Sequence, residues 1–338
     1  MTRIYVMLLC LLAFFVNNVN AVVVKDLYSV QVPVATQDAT ARNVAVQSAL
    51  QTVLIRVNGS TQVLESPLIQ QSIKNPAQYI ERYEYEGELL RVRFLPNAIN
   101  GLLLKADLPV WGRDRPLILF WVDSDEGGTL HLVGATDTSS LPSVFDTNAV
   151  RRGLPIIFPL VDETDQQQIT PQDVLTANNI AITQASVRYG SNAIVLVNIH
   201  AGADNMFQTH WTLLSSSDNV TFDFNGADLN QLVGQGVDAV AENFANQFAS
   251  SMGQAQSTVQ IEMDGINNLT QFAAVQHYLE QLNSAQSVSV LTVSQDSVLF
   301  QLSITGDVTS LQKLMSLDNR VLAMSSTTPG LLKYQWIA

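Results

Sequence analysis

The sequence predicts a chain of α/β and α+β class, built from three small domains behind an N-terminal export segment. Three observations carry this. Two aperiodic stretches punctuate the chain, Leu108 to Pro116 with two prolines, a glycine and three charges, and Gly253 to Ser257. Between them, short uninterrupted apolar runs alternate with helical patterns, as in an α/β sheet. Beyond the second, the pattern reads strand, helix, strand, strand, helix, strand. The expected divisions are residues 1–21, 22–112, 113–254 and 255–338.

Residues 1–21 read as a cleavable secretory signal. Arg3 supplies a positive start, Ile4 to Val16 an apolar run, and Val19 and Ala21 stand where signal peptidase takes small residues. The run falls short of the roughly 20 residues that span a bilayer, although an uncleaved anchor is the alternative. The only cysteine, Cys10, lies inside that run, so a processed chain has no thiol for a disulfide, a nucleophile or a Cys-based metal site. Residues 1–21 hold one base and no acid, so the remainder carries 16 basic against 30 acidic side chains. A chain that acidic, with no Lys/Arg cluster, repels nucleic acid and anionic lipid.

In the first domain, Val22 to Val34 reads as a strand. Thr36, Asp38 and Thr40 offer N-cap oxygens to a helix whose apolar positions are Val46, Leu50, Val53, Leu54 and Val57, with Gly59 as its stop. A short helix over Pro67 to Lys74 follows. Tyr79 to Glu86 and Leu89 to Phe94 then alternate around Gly87-Glu88 as a hairpin, and Pro96 opens a helix with Ile99, Leu102 and Leu103 inward.

In the second domain, Leu117 to Val122, Leu154 to Val161 and Ala193 to Ile199 have the apolar character of buried parallel strands. Helices are expected over Val144 to Arg152 and Pro171 to Tyr189, antiparallel strands over Phe207 to Leu214 and Val220 to Phe224, and a long amphipathic helix over Leu229 to Met252. In the third, strands over Thr258 to Met263, Val288 to Val293, Val298 to Ile304 and Val321 to Met324 alternate with helices over Leu269 to Leu282 and Leu311 to Met315. That is the ferredoxin-like plan. The tail through Trp336 is apolar but has no assigned place.

Five segments carry a resemblance: Val32-Pro-Val-Ala-Thr-Gln-Asp38, Val53-Leu-Ile-Arg-Val-Asn-Gly59, Leu108-Pro-Val-Trp-Gly-Arg-Asp-Arg-Pro116, Arg152-Gly-Leu-Pro-Ile-Ile-Phe-Pro159 and Met263-Asp-Gly-Ile266. They resemble the DUF2066 family of uncharacterised proteobacterial exported proteins, with Asn58 where that family more often has threonine. The resemblance implies a Gram-negative envelope protein and assigns no catalytic residue. A looser likeness of layout is to the N-terminal domain of the TolB translocation protein, which the middle domain is expected to match. Penicillin-binding-protein activators and flagellar assembly protein T share that layout. All are non-enzymatic partners of larger machines, and fold alone does not imply function.

Two acidic clusters follow expected strands: Asp123, Asp125 and Glu126 before Gly127-Gly128, and Asp162, Glu163 and Asp165. If both strand ends open on one side, these oxygens suit Ca²⁺ or Mg²⁺; otherwise they are solvated loops of an acidic protein. His200 and His210 could face each other across a hairpin, with Asp204 as a third zinc ligand, or serve structural roles. Trp111, Arg113 and Arg115 form the most chemical-looking linker: either an arginine pair gripping a carboxylate, or a hinge with Trp111 wedged between cores and the arginines paired to nearby acids. No Gly-x-Ser-x-Gly elbow or phosphate-binding glycine loop occurs, and Gly234 and Gly236 instead suit close helix packing. The expectation is a periplasmic, non-catalytic accessory or assembly protein that binds another envelope component without a cofactor, with peripheral outer-membrane association left open. The alternative is a metal- or small-ligand-binding protein or hydrolase using the acidic strand ends.

Overall fold

The computed structural model describes residues 22–337, apart from 25, 127–128, 203, 205, 216–218, 250–255, 283, 306–307, 317–319, 327 and 329. The expected signal, residues 1–21, lies outside them. The chain is mixed α and β, with separate sheets and separate apolar clusters.

The first stretch opens with β1 (Val22–Val23) and β2 (Ser29–Pro33). The single strand expected over Val22 to Val34 is broken, because Asp26 turns the chain at φ 60°. Then come α1 (Ala39–Asn58), α2 (Pro67–Lys74), β3 (Ile80–Glu86), β4 (Leu89–Phe94) and α3 (Pro96–Lys105). Asp38 accepts from the backbone N–H groups of Thr40 and Ala41, capping α1. Gly59 ends the helix at φ 91° and donates to Ile55 O, as the orphan carbonyls of a helix end require. The apolar face of α1 packs on a three-stranded sheet of order β2-β4-β3, with Leu50, Val53, Leu54, Leu90, Val92 and Phe94 fully buried.

The middle stretch runs β5 (Asp114–Arg115), β6 (Ile118–Glu126), β7 (Thr129–Val133), α4 (Leu141–Arg152), β8 (Ile156–Ile157), α5 (Glu163–Gln166), α6 (Pro171–Leu175), α7 (Asn179–Ser186), β9 (Ala193–Ala201), β10 (Phe207–Leu213), β11 (Val220–Gly226) and α8 (Leu229–Phe248). Its sheet is mixed, with order β11-β10-β9-β6-β7 and β8 alongside β6. β6 is parallel to β8 and β9, while β7 and β10 are antiparallel neighbours. The apolar run of β6 is buried on both faces. Ile118, Phe120 and Val122 meet the α4 and α8 side, and Leu119 and Trp121 the α6 and α7 side.

Three expectations fail here for local reasons. Leu154 to Val161 yields only two paired residues, since Pro155 and Pro159 remove ladder donors on either side and Val161 turns at φ 53°. The helix over Pro171 to Tyr189 is broken at Ala177, which is left-handed at φ 49°. The long helix stops at Phe248, and residues 250–252 lie outside the described ones. Gly236 of α8 has a packing reason: a Cβ there would collide with the Trp211 indole.

The last stretch runs β12 (Gln256–Asp264), α9 (Leu269–Gln281), β13 (Ala285–Val293), β14 (Ser297–Thr305), α10 (Val308–Ser316), β15 (Val321–Met324) and β16 (Leu331–Trp336). The tail is therefore a strand. It pairs in parallel with β12 and antiparallel with β15, giving order β13-β14-β12-β16-β15. In a four-stranded ferredoxin-like sheet β15 would lie against β12. Here β16 occupies that position, burying Tyr334 and Trp336 against Tyr278 and its neighbours.

Candidate functional site

Three places gather polar chemistry. The first is the end of β6. Alternation along the strand puts Asp123 and Asp125 on the face of Leu119 and Trp121. Register pairs Asp123 with Asn198 and Asp125 with His200 on β9. Asn198 Nδ2 donates to Asp123 Oδ2 at 2.9 Å, and His200 Nδ1 lies 2.8 Å from Asp125 Oδ2. Asp123 is fully buried, and among the described residues the Oδ1 of each aspartate is buried without a hydrogen-bond partner. Burial pushes the Asp123 carboxyl up to about 6, against the pull of Asn198. The side chain of Glu126 lies outside the described residues, as do Gly127 and Gly128.

The second acidic cluster is engaged elsewhere. Asp162 caps α5, and Arg188 Nη1 meets both Asp162 Oδ1 at 2.7 Å and Asp165 Oδ1 at 3.0 Å. The Arg188 hydrogen bonds hold the Asp162 carboxyl down at about 2. Asp165 is buried and also accepts from Val161 N and, at 2.5 Å, from Tyr189 Oη. These carboxylates serve an internal network with Arg188 and Tyr189. Among the described residues no three His, Cys, Asp or Glu side chains converge as a metal centre. His200 and His210 do lie on adjacent antiparallel strands, but each pairs with its own aspartate, His210 Nδ1 with Asp223 Oδ1 at 2.7 Å. Asp204 is exposed in the turn between them.

The third place is the linker and the helix ends around it. Trp111 is buried, and its backbone N–H donates to Val57 O at 2.6 Å. The Arg115 guanidinium stacks 3.9 Å over the Trp111 ring. It donates to Gly112 O, Trp111 O, Arg56 O, Arg152 O and Gly153 O, at 2.6 to 3.1 Å. Arg113 is exposed and contributes its carbonyl to Val24 N. The expectation that the arginines pair with nearby acids is thus wrong for Arg115: its partners are carbonyls. They include the carbonyls that α1 and α4 leave unbonded where each ends at a left-handed glycine, Gly59 and Gly153.

Two more arginines complete the brace. Arg152 donates to Gly59 O at 2.5 Å and pairs with Asp238 of α8 at 3.0 Å. Arg56 donates to Arg151 O and to Ser29 O, the latter at 2.7 Å. Burial pushes Arg56 down to about 10 and lowers Arg115 and Arg152 as well. On the opposite side, Glu242 of α8 accepts from Ser60 Oγ and from both the N–H and the hydroxyl of Thr61. Sequence reasoning missed Arg56, Arg152, Asp238 and Glu242. The available signal was basic residues in the last turns of two helices, each just before a glycine.

Beside this brace lies an open cleft of about 1130 Å³. One wall is β2, an edge strand of its sheet, with Thr52 and Arg56 of α1. The other is α4, presenting Thr147, Val150 and Arg151. Val150 is 68% exposed there.

A family model described as a domain of unknown function, DUF8605, matches residues 21–112. No curated protein matches the chain. Among solved structures, formyltetrahydrofolate deformylase from Burkholderia mallei is similar at 14% identity, over 64% of this chain and 91% of that one. The TM-score is 0.15, so that likeness bears on neither fold nor function.

Proposed function

We propose that the chain is an exported, non-catalytic accessory protein of the Gram-negative envelope that holds a segment of another envelope protein. The cleft between β2 and α4 is the observation that carries this reading. At about 1130 Å³ it lies at or above the roughly 300–1000 Å³ of small-molecule pockets, and it is open. Its walls come from sequence-distant elements, and the arginine brace fixes their separation. The alternating hydrogen bonds that tie Tyr28 O to Phe94 N and Val34 N to Glu88 O leave the Gln31 backbone groups on the free edge of β2. A polypeptide segment can use such an edge, with an exposed apolar residue like Val150 opposite.

The same reading takes the divisions 22–112, 113–254 and 255–338 as domains and the chain as a relative of DUF2066 proteins. It takes the middle domain as similar in layout to the TolB N-terminal domain, and the last as a ferredoxin-like plan extended by one strand. No helix of the described residues is long and apolar enough to cross a membrane. In-cell crosslinking of the tagged chain, with mass spectrometry of what it captures, tests the proposal. A reproducible envelope protein supports it. Capture of nothing above an untagged control overturns it.

A further inference from the structure

The edge of the last sheet carries an inference independent of the cleft, whose lining it does not share. β13 is an edge strand whose ladder partner is β14, so its other side presents unpaired backbone N–H and C=O groups. Edge strands are usually blunted by charge, proline or brevity. Each other edge strand of five residues or more fits that rule: β2 ends on Pro33, β3 carries Glu81, Arg82, Glu84 and Glu86, β7 carries His131 and β11 carries Asp223. β13 has nine residues and none of these devices. Its two register irregularities, after Ala285 and after Val290, leave residues 287–290 as a regular run between them. Val290, Leu291 and Val293 are exposed, the last at 65%. Val290 opposes Phe300, on which Phe272 of α9 stacks at 6.2 Å, so an apolar core row reaches this edge and ends uncovered.

Charge and symmetry select the occupant. The chain carries a net charge of −13, so two copies repel over most of their surfaces, yet residues 281–295 contain no Asp, Glu, Lys, Arg or His. A copy can approach there without like-charge contact. The run is also self-complementary: Val288 and Val290 lie on one face, Ser287 and Ser289 on the other. A two-fold axis normal to the sheet through Ser289 sets Val288 of one copy against Val290 of the other, apolar on apolar. We propose that β13 pairs antiparallel with β13 of a second copy of this chain, joining two five-stranded sheets into one of ten strands.

The interface is one strand and an apolar strip, smaller than the roughly 1,600 Å² of a standard complex, so association is weak, with Kd about 10⁻⁵–10⁻⁴ M. Sedimentation velocity of the exported chain between about 1 and about 200 µM reads it: the wild type moves from monomer toward dimer. Ser289→Asp and Ser289→Lys each place like charges at the two-fold axis and raise the Kd at least about tenfold, while their equimolar mixture associates again. Leu322→Asp, on the opposite edge strand β15, associates like the wild type. A wild type that stays monomeric across this range overturns the proposal, as does loss of association in Leu322→Asp, or a mixture that associates no better than either variant alone. Should a variant fail to fold, hydrogen exchange of the wild type decides. Protection at residues 287–290 rises between the two concentrations, and unchanged protection contradicts the pairing.

Discussion

Arg115 lies over the ring of Trp111 at 3.9 Å and donates to Trp111 O at 3.0 Å, so one guanidinium both stacks on the indole and binds its backbone. The same group reaches the ends of α1 and α4. Removing it leaves several buried carbonyls unbonded. Arg115→Ala is expected to cost at least about 3 kcal/mol, and Arg115→Lys to recover little, because an ammonium lacks the planar fork. Urea unfolding checks both. The alanine variant also separates the unfolding of residues 22–112 from that of the middle stretch, seen as two transitions in place of one.

The raised carboxyl of Asp123 gives a pH dependence of definite sign. With a folded value of about 6 against about 3.9 unfolded, the folded chain holds a proton between those values that the unfolded chain releases. Stability therefore falls as pH rises from about 4 to about 6, by about 3 kcal/mol in total. Asp123→Asn removes that slope and leaves the rest of the profile in place. Melting curves across this range, compared between the two proteins, measure it. A parallel pair of profiles contradicts the assignment.

Glycines at two left-handed positions separate strain from packing. Gly87 sits at φ 64°, and a Cβ there would meet only open space, so Gly87→Ala costs only the backbone term of about 1–2 kcal/mol. Gly59 sits at φ 91°, and a Cβ there would collide with Ala245 of α8 and crowd Trp111. Gly59→Ala adds that clash and exceeds the Gly87→Ala loss by about 1 kcal/mol or more, the scale of overpacking. Denaturant midpoints at constant slope give the comparison.

The terminal strand β16 is structural. Trp336 and Tyr334 are buried in the last cluster, and Trp336 packs against Tyr278 with ring centroids 5.7 Å apart. Trp336→Ala is expected to cost about 3–5 kcal/mol. Protection of the β12 amides from hydrogen exchange falls with it, because β16 is their parallel partner.

Much of this fold was legible in the pattern of apolar residues. Pro67 to Lys74, Leu89 to Phe94 and Val321 to Met324 have the bounds that periodicity and turn residues gave them. What escaped was set by tertiary pairing. Nothing local tells Leu331–Trp336 to insert beside β12, since a strand's partner is fixed by the sheet it joins. Breaks at Ala177 and Val161 come from left-handed residues of types that seldom adopt that conformation, which sequence rules do not flag. Of the candidate residues, Asp123 and Asp125 do share a face. Arg115 is bound to carbonyls, and backbone groups leave no mark in composition. Asp162 and Asp165 read as cation ligands or as solvated loop residues, while their partner Arg188 lies 23 to 26 residues away.

The central claim, that the cleft beside the arginine brace receives a partner segment, is tested most directly by site-specific photocrosslinking in living cells. One crosslinking residue replaces Thr147 in the cleft wall, and another replaces Gln276 on α9, away from it. The account predicts one envelope protein captured from position 147 and absent from position 276. Equal capture from both positions, or none from 147 in a folded chain, would contradict it.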